Sequence, residues 1–331
     1  MGEQKVKLLI KIKKKIRFLL KAKSLKKIRD FYYVEKYLHD NNMLVFHNYF
    51  SNRYKEAVVY LISMEDMKCG LFAQLFFALE LLTYAEEKGY KVSLKLSEII
   101  YHDKDSDINL YDKFYIQPDG ISADAIGSVR NIEIAHWVHL GEDGKYLSDY
   151  NTMSEDVLRK AACVKNKYIK YKQETLDILN SDVNGLDIDF EETIGVHIRG
   201  GDYNVNCKGH PIPLTINDYS DCIEEALNKG YKKIFVATDD ERLLRLFISK
   251  YGNIISYYKD TKRCEDDKGV HNDLNMGSRL AYEAIRDMYT LSKCKVLISG
   301  MSKVSKMAKV EKYARGEEYD YYYELDKGIN S

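Results

Sequence analysis

The fold is decided by residues 193–203, which read Thr-Ile-Gly-Val-His-Ile-Arg-Gly-Gly-Asp-Tyr. Residues 193–198 form an apolar run that is typical of a buried parallel strand. Arg199 follows where this strand is predicted to end, and two glycines follow Arg199. Because ligands of open α/β sheets bind beyond the carboxyl ends of the strands, we expect the fixed positive charge of Arg199 to meet an anion there.

Composition bounds the class of protein. The chain has 331 residues, which suggests two domains at about 150 residues each. Apolar residues make up 45% and charged residues 31% of the chain, as in an ordinary globular protein. We predict no membrane-spanning segment and no signal peptide. The six cysteines include no Cys-x-x-Cys pair, and we expect reduced thiols in a cytoplasmic protein.

The first 50 residues differ from the rest in charge. Residues 5–29 place apolar side chains at helical spacing and fill most other positions with lysine, which predicts a basic amphipathic helix. This helix suits an anionic membrane surface, on the inner face of the membrane. A solubilising tail, or a helix docked on the acidic remainder of the chain, are the alternatives. Nucleic acid binding is not expected, because no basic face interleaved with aromatic residues follows.

A first α/β unit is predicted over residues 51–185. It comprises a strand at 57–62, a glycine turn at 69–70, a helix at 71–88 and a strand at 90–96. Residues 100–150 are polar and irregular, residues 154–179 are helical, and residues 181–185 are typical of a linker.

A second α/β unit is predicted over residues 186–331. Strands at 193–198, 233–237, 254–257 and 296–299 alternate with helices at 216–229, 240–250, 277–292 and 302–314. This alternation indicates a parallel, doubly wound sheet. We expect the two Rossmann-like units to face each other across a cleft.

Polar residues end three of these strands and should share one edge of the sheet. They are His197 with Arg199, Thr238 with Asp239, and Ser302, which would also cap the next helix. The free N–H groups at such a helix start can bind phosphate. A histidine that alternates with apolar neighbours is more often a core residue with its hydrogen bonds satisfied.

Asp287 lies in the middle of a predicted helix, among apolar residues. A carboxylate there can accept two N–H bonds from the Watson–Crick edge of guanine. The alternative is an exposed side chain paired with Arg286 or Lys293.

The segment Gly-Val-His-Ile-Arg-Gly-Gly-Asp-Tyr at 195–203 resembles the His-x-Arg-Arg-x-Asp signature of GDP-fucose-dependent fucosyltransferases. Three further segments are similar to motifs of that family in order and spacing, at 69–76, 235–240 and 285–305. The resemblance covers about residues 55–310. It implies a GT-B fold and an inverting, metal-independent transfer of L-fucose from GDP-fucose to a glycan hydroxyl.

The resemblance also implies roles for residues of this chain. Arg199 would bind the diphosphate and stabilise its charge as the sugar leaves. The guanosine end would be held by His197 and Asp287. The other donor contacts would be Thr238, Asp239, Ser302 for the phosphate, and Gly70 in the N-terminal glycine turn. No metal or other cofactor is implied, and the glycan acceptor would bind the N-terminal domain.

Two departures from the family pattern leave the chemistry open. The second arginine of the signature is Gly200 here, and a glutamate suspected as general base is missing, so that Asp202 is the nearest candidate. The linkage, α1,2 or α1,6, stays open, and the acceptor is expected to be a bacterial surface polysaccharide or oligosaccharide. The alternatives are a GT-B enzyme for another nucleotide sugar, and a nonenzymatic glycan- or membrane-binding protein on a degenerate transferase scaffold.

Overall fold

The computed structural model describes residues 48–49, 59–64, 68–97, 99–101, 103, 108–123, 131–136, 153–201, 209–267, 269–270 and 276–330. For residues 48–49 and 131–136 the description is limited to the backbone. The predicted basic helix at 5–29 and Asp202 lie outside these residues, so both stay predictions.

Strands and helices alternate over most of the described chain. The strands are β1 (Asn48–Tyr49), β2 (Val59–Ser63), β3 (Lys91–Lys95), β4 (Tyr115–Ile116), β5 (Asn131–His136), β6 (Lys170–Tyr171), β7 (Thr193–Ile198), β8 (Lys233–Thr238), β9 (Ile255–Ser256), β10 (Val296–Gly300) and β11 (Tyr321–Leu325). The helices are α1 (Leu71–Lys88), α2 (Leu110–Phe114), α3 (Glu155–Tyr168), α4 (Gln173–Gly185), α5 (Ile216–Asn228), α6 (Glu241–Tyr251), α7 (Ser278–Lys293) and α8 (Lys303–Ala314).

The second half of the chain forms a five-stranded sheet in the order β11-β10-β7-β8-β9, and every pairing in it is parallel. Helices cover both faces, with α5 and α6 on one side and α7 and α8 on the other. This confirms the prediction of an α/β fold with a parallel sheet. The strand order reverses between β7 and β10, which makes that gap the topological switch point of the sheet.

The first half forms a four-stranded sheet in the order β1-β5-β2-β3, in which β1 runs antiparallel to β5. The βαβ unit predicted around α1 is present. Gly89 ends α1 in the left-handed conformation, at φ 67°. The prediction that residues 100–150 are irregular is wrong in part, because α2 and β5 lie there. The edge strand β11 was not predicted either.

The predicted linker at 181–185 is wrong, since these residues form the last turns of α4. Leu179 and Val183 are buried there, and the Asp182 carboxylate accepts hydrogen bonds from Tyr282 at 2.8 Å and Arg286 at 3.0 Å. Polar residues that look like a loop in sequence therefore belong to a helix whose partners lie a hundred residues away. The single helix predicted over 154–179 is likewise divided into α3 and α4 by the short strand β6.

A continuous apolar core connects the helices that follow the first sheet with those of the second. Two ion pairs join α3 to α8, between Lys165 and Glu311 at 2.7 Å and between Lys309 and Glu155 at 2.6 Å. The start of α7 is tied to the first half of the chain, because Asp103 accepts the Ser278 N–H at 2.7 Å. None of the described helices is long and apolar enough to span a bilayer.

The two strands at the switch point are held by one buried side chain, Tyr219 of α5. Its hydroxyl donates to the His197 carbonyl of β7 at 3.0 Å and accepts the Gly300 N–H of β10 at 3.0 Å. Ladder pairing between these strands ends at Ser299 and His197, so Tyr219 supplies the partners that the diverging backbones lose. The His197 carbonyl and the Gly300 N–H therefore each have a partner although the ladder between the strands ends here.

Candidate functional site

Two cavities lie at the carboxyl ends of β7, β8 and β10. The first encloses about 540 Å³ and the second about 300 Å³ of empty space, and both volumes include space that is open to solvent. Arg199 and His197 line both, so the cavities adjoin at the end of β7. The structure thus has open clefts at the place where strand topology predicts a ligand site.

Arg199 is directed into the site and not to bulk solvent. Its side chain is 19% exposed, and its Nη1 atom lies 2.7 Å from Oδ2 of Asp239, whose side chain is 10% exposed. The other carboxylate oxygen of Asp239 accepts the Gly200 N–H at 2.9 Å. Asp239 therefore orients the guanidinium and fixes the loop that follows it. An anionic ligand would share Arg199 with this carboxylate.

Gly200 has no room for a side chain. A Cβ atom placed there would lie 2.3 Å from Cβ of Asp240, which is fully buried and caps α6 by accepting the Arg242 and Leu243 N–H groups. Asp240 also accepts the Gly201 N–H at 3.2 Å and forms an ion pair with Arg242. An arginine at position 200, as in the family signature, would require this turn to move. The packing against Asp240 therefore explains why glycine occupies this position.

His197 is buried, at 5% exposed, and it lines both cavities. Its Nδ1 atom has no hydrogen-bond partner among the described residues. Burial and the neighbouring Arg199 charge lower the pKa of His197 to about 3, against the opposing effect of Asp239. The imidazole is therefore neutral at physiological pH and offers one donor and one acceptor. The interpretation of His197 as a satisfied core histidine is wrong.

Asp287 lines the first cavity from α7. It forms no hydrogen bond or ion pair with any residue that the structure describes. Burial raises the pKa of Asp287 to about 7, and nearby Glu283 adds to the effect while Arg286 opposes it. The predicted alternative, pairing with Arg286, is wrong, because that guanidinium bonds Asp182 and Asp260.

The remaining strand-end residues lie where the sequence predicts. Thr238 and Asp239 line the first cavity, and Thr238 Oγ1 accepts the Asp240 N–H at 3.2 Å. Ser302 lines the second cavity and caps α8, since its hydroxyl oxygen accepts the Val304 N–H at 3.2 Å. The start of a 12-residue helix thus adjoins the second cavity beside Arg199. Their roles as ligand contacts stay predictions.

Among the predicted site residues that the structure describes, Gly70 lines neither cavity. Its backbone, at φ −61° and ψ 155°, is one that any residue adopts, and a Cβ atom would meet only Tyr101 Oη, at 3.9 Å. Tyr101 lines the first cavity, and its hydroxyl accepts the Leu71 N–H at the start of α1, at 2.8 Å. Tyr101 therefore connects the glycine turn at the start of α1 to the first cavity.

Sequence reasoning missed four polar residues of the first cavity. They are Tyr101, Thr261, Lys262 and Glu283. Glu283 had a signal, because it lies one helical turn before Asp287 and so shares its face of α7. The other three come from segments without a hydrophobic period, which give no indication of what they approach.

Several solved structures are similar to this chain. POFUT1 in complex with GDP is 12% identical, with a TM-score of 0.50, and the match covers 82% of this chain and 99% of that one. The fucosyltransferase NodZ from Bradyrhizobium is 14% identical, over 79% of this chain and 93% of that one, with a TM-score of 0.45. A mutant of Arabidopsis thaliana FUT1 in complex with GDP is 13% identical, with a TM-score of 0.47, and the match covers 79% of this chain and 70% of that one.

No family model and no curated protein matches the sequence. The likeness to POFUT1 shows that the chain shares the fold of that protein. Its activity therefore has to be argued from the site.

Asp287→Asn should make the protein more stable at pH 8. The folded-state pKa of about 7 lies above the usual value of about 3.9, so the free energy of unfolding falls as pH rises from about 4 to 7. Asparagine carries no charge at any of these pH values, so the variant does not lose this stability as the pH rises. We expect the variant to gain at least about 1 kcal/mol at pH 8 and nothing at pH 4.

Urea unfolding at both pH values measures this difference. Asp221→Asn, an exposed position on α5, is the control and should change neither value. An Asp287→Asn variant that is less stable at pH 8 would show that the carboxylate has a structural partner.

Proposed function

We propose that this protein is an inverting fucosyltransferase that moves L-fucose from GDP-fucose to a glycan hydroxyl without a metal ion. One observation supports this most strongly. Arg199 and a neutral His197 at the end of β7 line one cavity together with the unpaired carboxylate of Asp287, which comes from α7, almost 90 residues later in the sequence. A permanent cation and a carboxylate that faces a cavity suit a ligand with an anionic part and an N–H donor edge.

Asp287 favours guanine over the other common bases. The Watson–Crick edge of guanine presents two adjacent N–H donors, which a carboxylate accepts with its two oxygens. Uracil and thymine present one N–H between two carbonyls, and the carbonyl oxygens repel a carboxylate. Since only the ionised form of Asp287 accepts both bonds, bound guanine should lower the pKa of this group.

The diphosphate would lie between Arg199 and the start of α8, next to Gly300 and Ser302. The acceptor oxygen attacks C1 of fucose from the face opposite the phosphate, and the bond from C1 to the β-phosphate oxygen breaks. The electron pair leaves with GDP, and attack from the opposite face inverts the configuration. Arg199 and the α8 N–H groups are already in place for the charge that develops on the phosphate.

The acceptor proton needs a base, and Asp202 is proposed for that role on the sequence alone. We place the acceptor on the residues of the 51–185 unit and the basic helix 5–29 at an anionic membrane surface, on the cytoplasmic side. Both linkages, α1,2 and α1,6, are compatible with the site. The fold shared with POFUT1, which was crystallised with GDP, supports the choice of nucleotide.

Calorimetry should find that GDP binds at pH 8 while UDP and dTDP do not compete with it. GDP affinity should fall about tenfold between pH 8 and pH 6, because Asp287 takes up a proton with a pKa of about 7. Asp287→Asn should bind GDP more weakly at pH 8. The variant retains only the pH dependence of the GDP phosphate, which makes it the control. UDP binding tighter than GDP would contradict the proposal.

Arg199→Ala should lower the turnover of GDP-fucose by about 10²–10³-fold, because the developing phosphate charge loses its main partner. It also leaves Asp239 uncompensated beside the diphosphate. The double variant Arg199→Ala with Asp239→Asn should therefore bind GDP more tightly than Arg199→Ala alone. GDP release, measured with a panel of galactosides and N-acetylglucosaminides, reports turnover. Equal turnover by wild type and Arg199→Ala would contradict a transfer mechanism at this site.

A further inference from the structure

The second cavity is lined by residues of two kinds. Polar side chains come from His197, Arg199, Tyr219 and Ser302. The apolar side chains, which we call the apolar wall, are those of Pro211, Ile212, Pro213, Leu214 and Met301. Nothing in the proposed role of Arg199 requires this wall, since phosphate needs only charge and N–H donors. The wall therefore indicates that part of the ligand beside the phosphate is apolar.

The apolar wall is held in position before any ligand binds. The Ile212 N–H donates to the Gly328 carbonyl at 2.9 Å, and the Asn330 N–H donates to the His210 carbonyl at 2.9 Å. Segment 209–212 is thereby paired with segment 328–330, and Pro211 bridges Ile329. Prolines have a fixed φ, which further restricts the segment. A preformed wall selects a ligand group at little cost in ordering.

Leu214 brings this wall to the end of β10. A Cβ atom placed on Gly300 would lie 2.7 Å from Leu214 Cδ1, so the leucine packs directly over the glycine. Gly300 in turn is fixed by the Tyr219 hydroxyl and precedes the start of α8. An apolar side chain thus lies beside the position assigned to the phosphate.

We propose that the second cavity holds the sugar of the donor and that the apolar wall contacts the C6 methyl group of a 6-deoxyhexose. This rests on the proposed function. Because His197 and Arg199 line both cavities, a diphosphate at Arg199 places its nucleoside in the first cavity and its sugar in the second. A methyl group against Leu214 and Met301 is removed from water, whereas a hydroxyl there has no partner on the wall.

The test compares the binding of three donors by calorimetry: GDP-L-fucose, GDP-D-arabinose and GDP-L-galactose. Compared with L-fucose, D-arabinose lacks only the C6 methyl group, and L-galactose carries a hydroxyl on that carbon. The wild-type protein should bind GDP-L-fucose at least about ten times more tightly than it binds either of the other two donors. The variants Leu214→Asn and Met301→Gln should lose most of this preference. In each of them the dissociation constants of GDP-D-arabinose and GDP-L-fucose should differ by no more than about threefold. The affinity of each variant for GDP is measured as well, so that a general loss of diphosphate binding is distinguished from loss of the methyl contact.

Leu227→Asn is the matched control. Leu227 packs on the same core as Leu214 but lies at the other end of α5 and does not line the cavity. Its donor preference should equal that of wild type. An unchanged preference in both wall variants would overturn the assignment of the methyl contact and leave the proposed function standing. Failure of wild type to bind GDP would instead overturn the proposed function.

Discussion

The site depends on how two parallel strands separate without leaving their backbone groups unpaired. Beyond His197 and Ser299 the ladder between β7 and β10 ends, and the hydroxyl of Tyr219 bonds the His197 carbonyl and the Gly300 N–H. This side chain is fully buried. It keeps the strand ends apart at a fixed distance, with the Arg199 loop on one side and the start of α8 on the other. The two cavities meet at this opening.

The electrostatics of the site follow from that arrangement. Arg199 is balanced by Asp239, and the Asp239–Asp240 turn takes up the N–H groups of Gly200 and Gly201. A single cation is therefore held rigidly, in a loop too tightly packed for a second one at position 200. At the far wall Asp287 has a raised pKa because its carboxylate is buried without a partner. Carboxylates with a strongly shifted pKa that face a cavity are concentrated at functional sites.

The sequence predicts the parts of this site that strand and helix periods control. The apolar run before Arg199 places that residue at a strand end, and the same logic places Thr238, Asp239 and Ser302 on one edge. Asp287 follows from the period of α7. The parts that it does not predict depend on distant contacts. Tyr101 belongs to a segment without a period, Tyr219 is indistinguishable from any core tyrosine, and the apolar wall is held by a segment more than a hundred residues away.

A crystal structure of the protein with GDP would test the proposed nucleotide site most directly. We expect the guanine N1–H and N2–H groups to lie within hydrogen-bond distance of the Asp287 carboxylate, and the β-phosphate to lie between the Arg199 guanidinium and the first N–H groups of α8. A nucleotide bound outside these cavities, or with its base directed away from Asp287, would contradict this expectation.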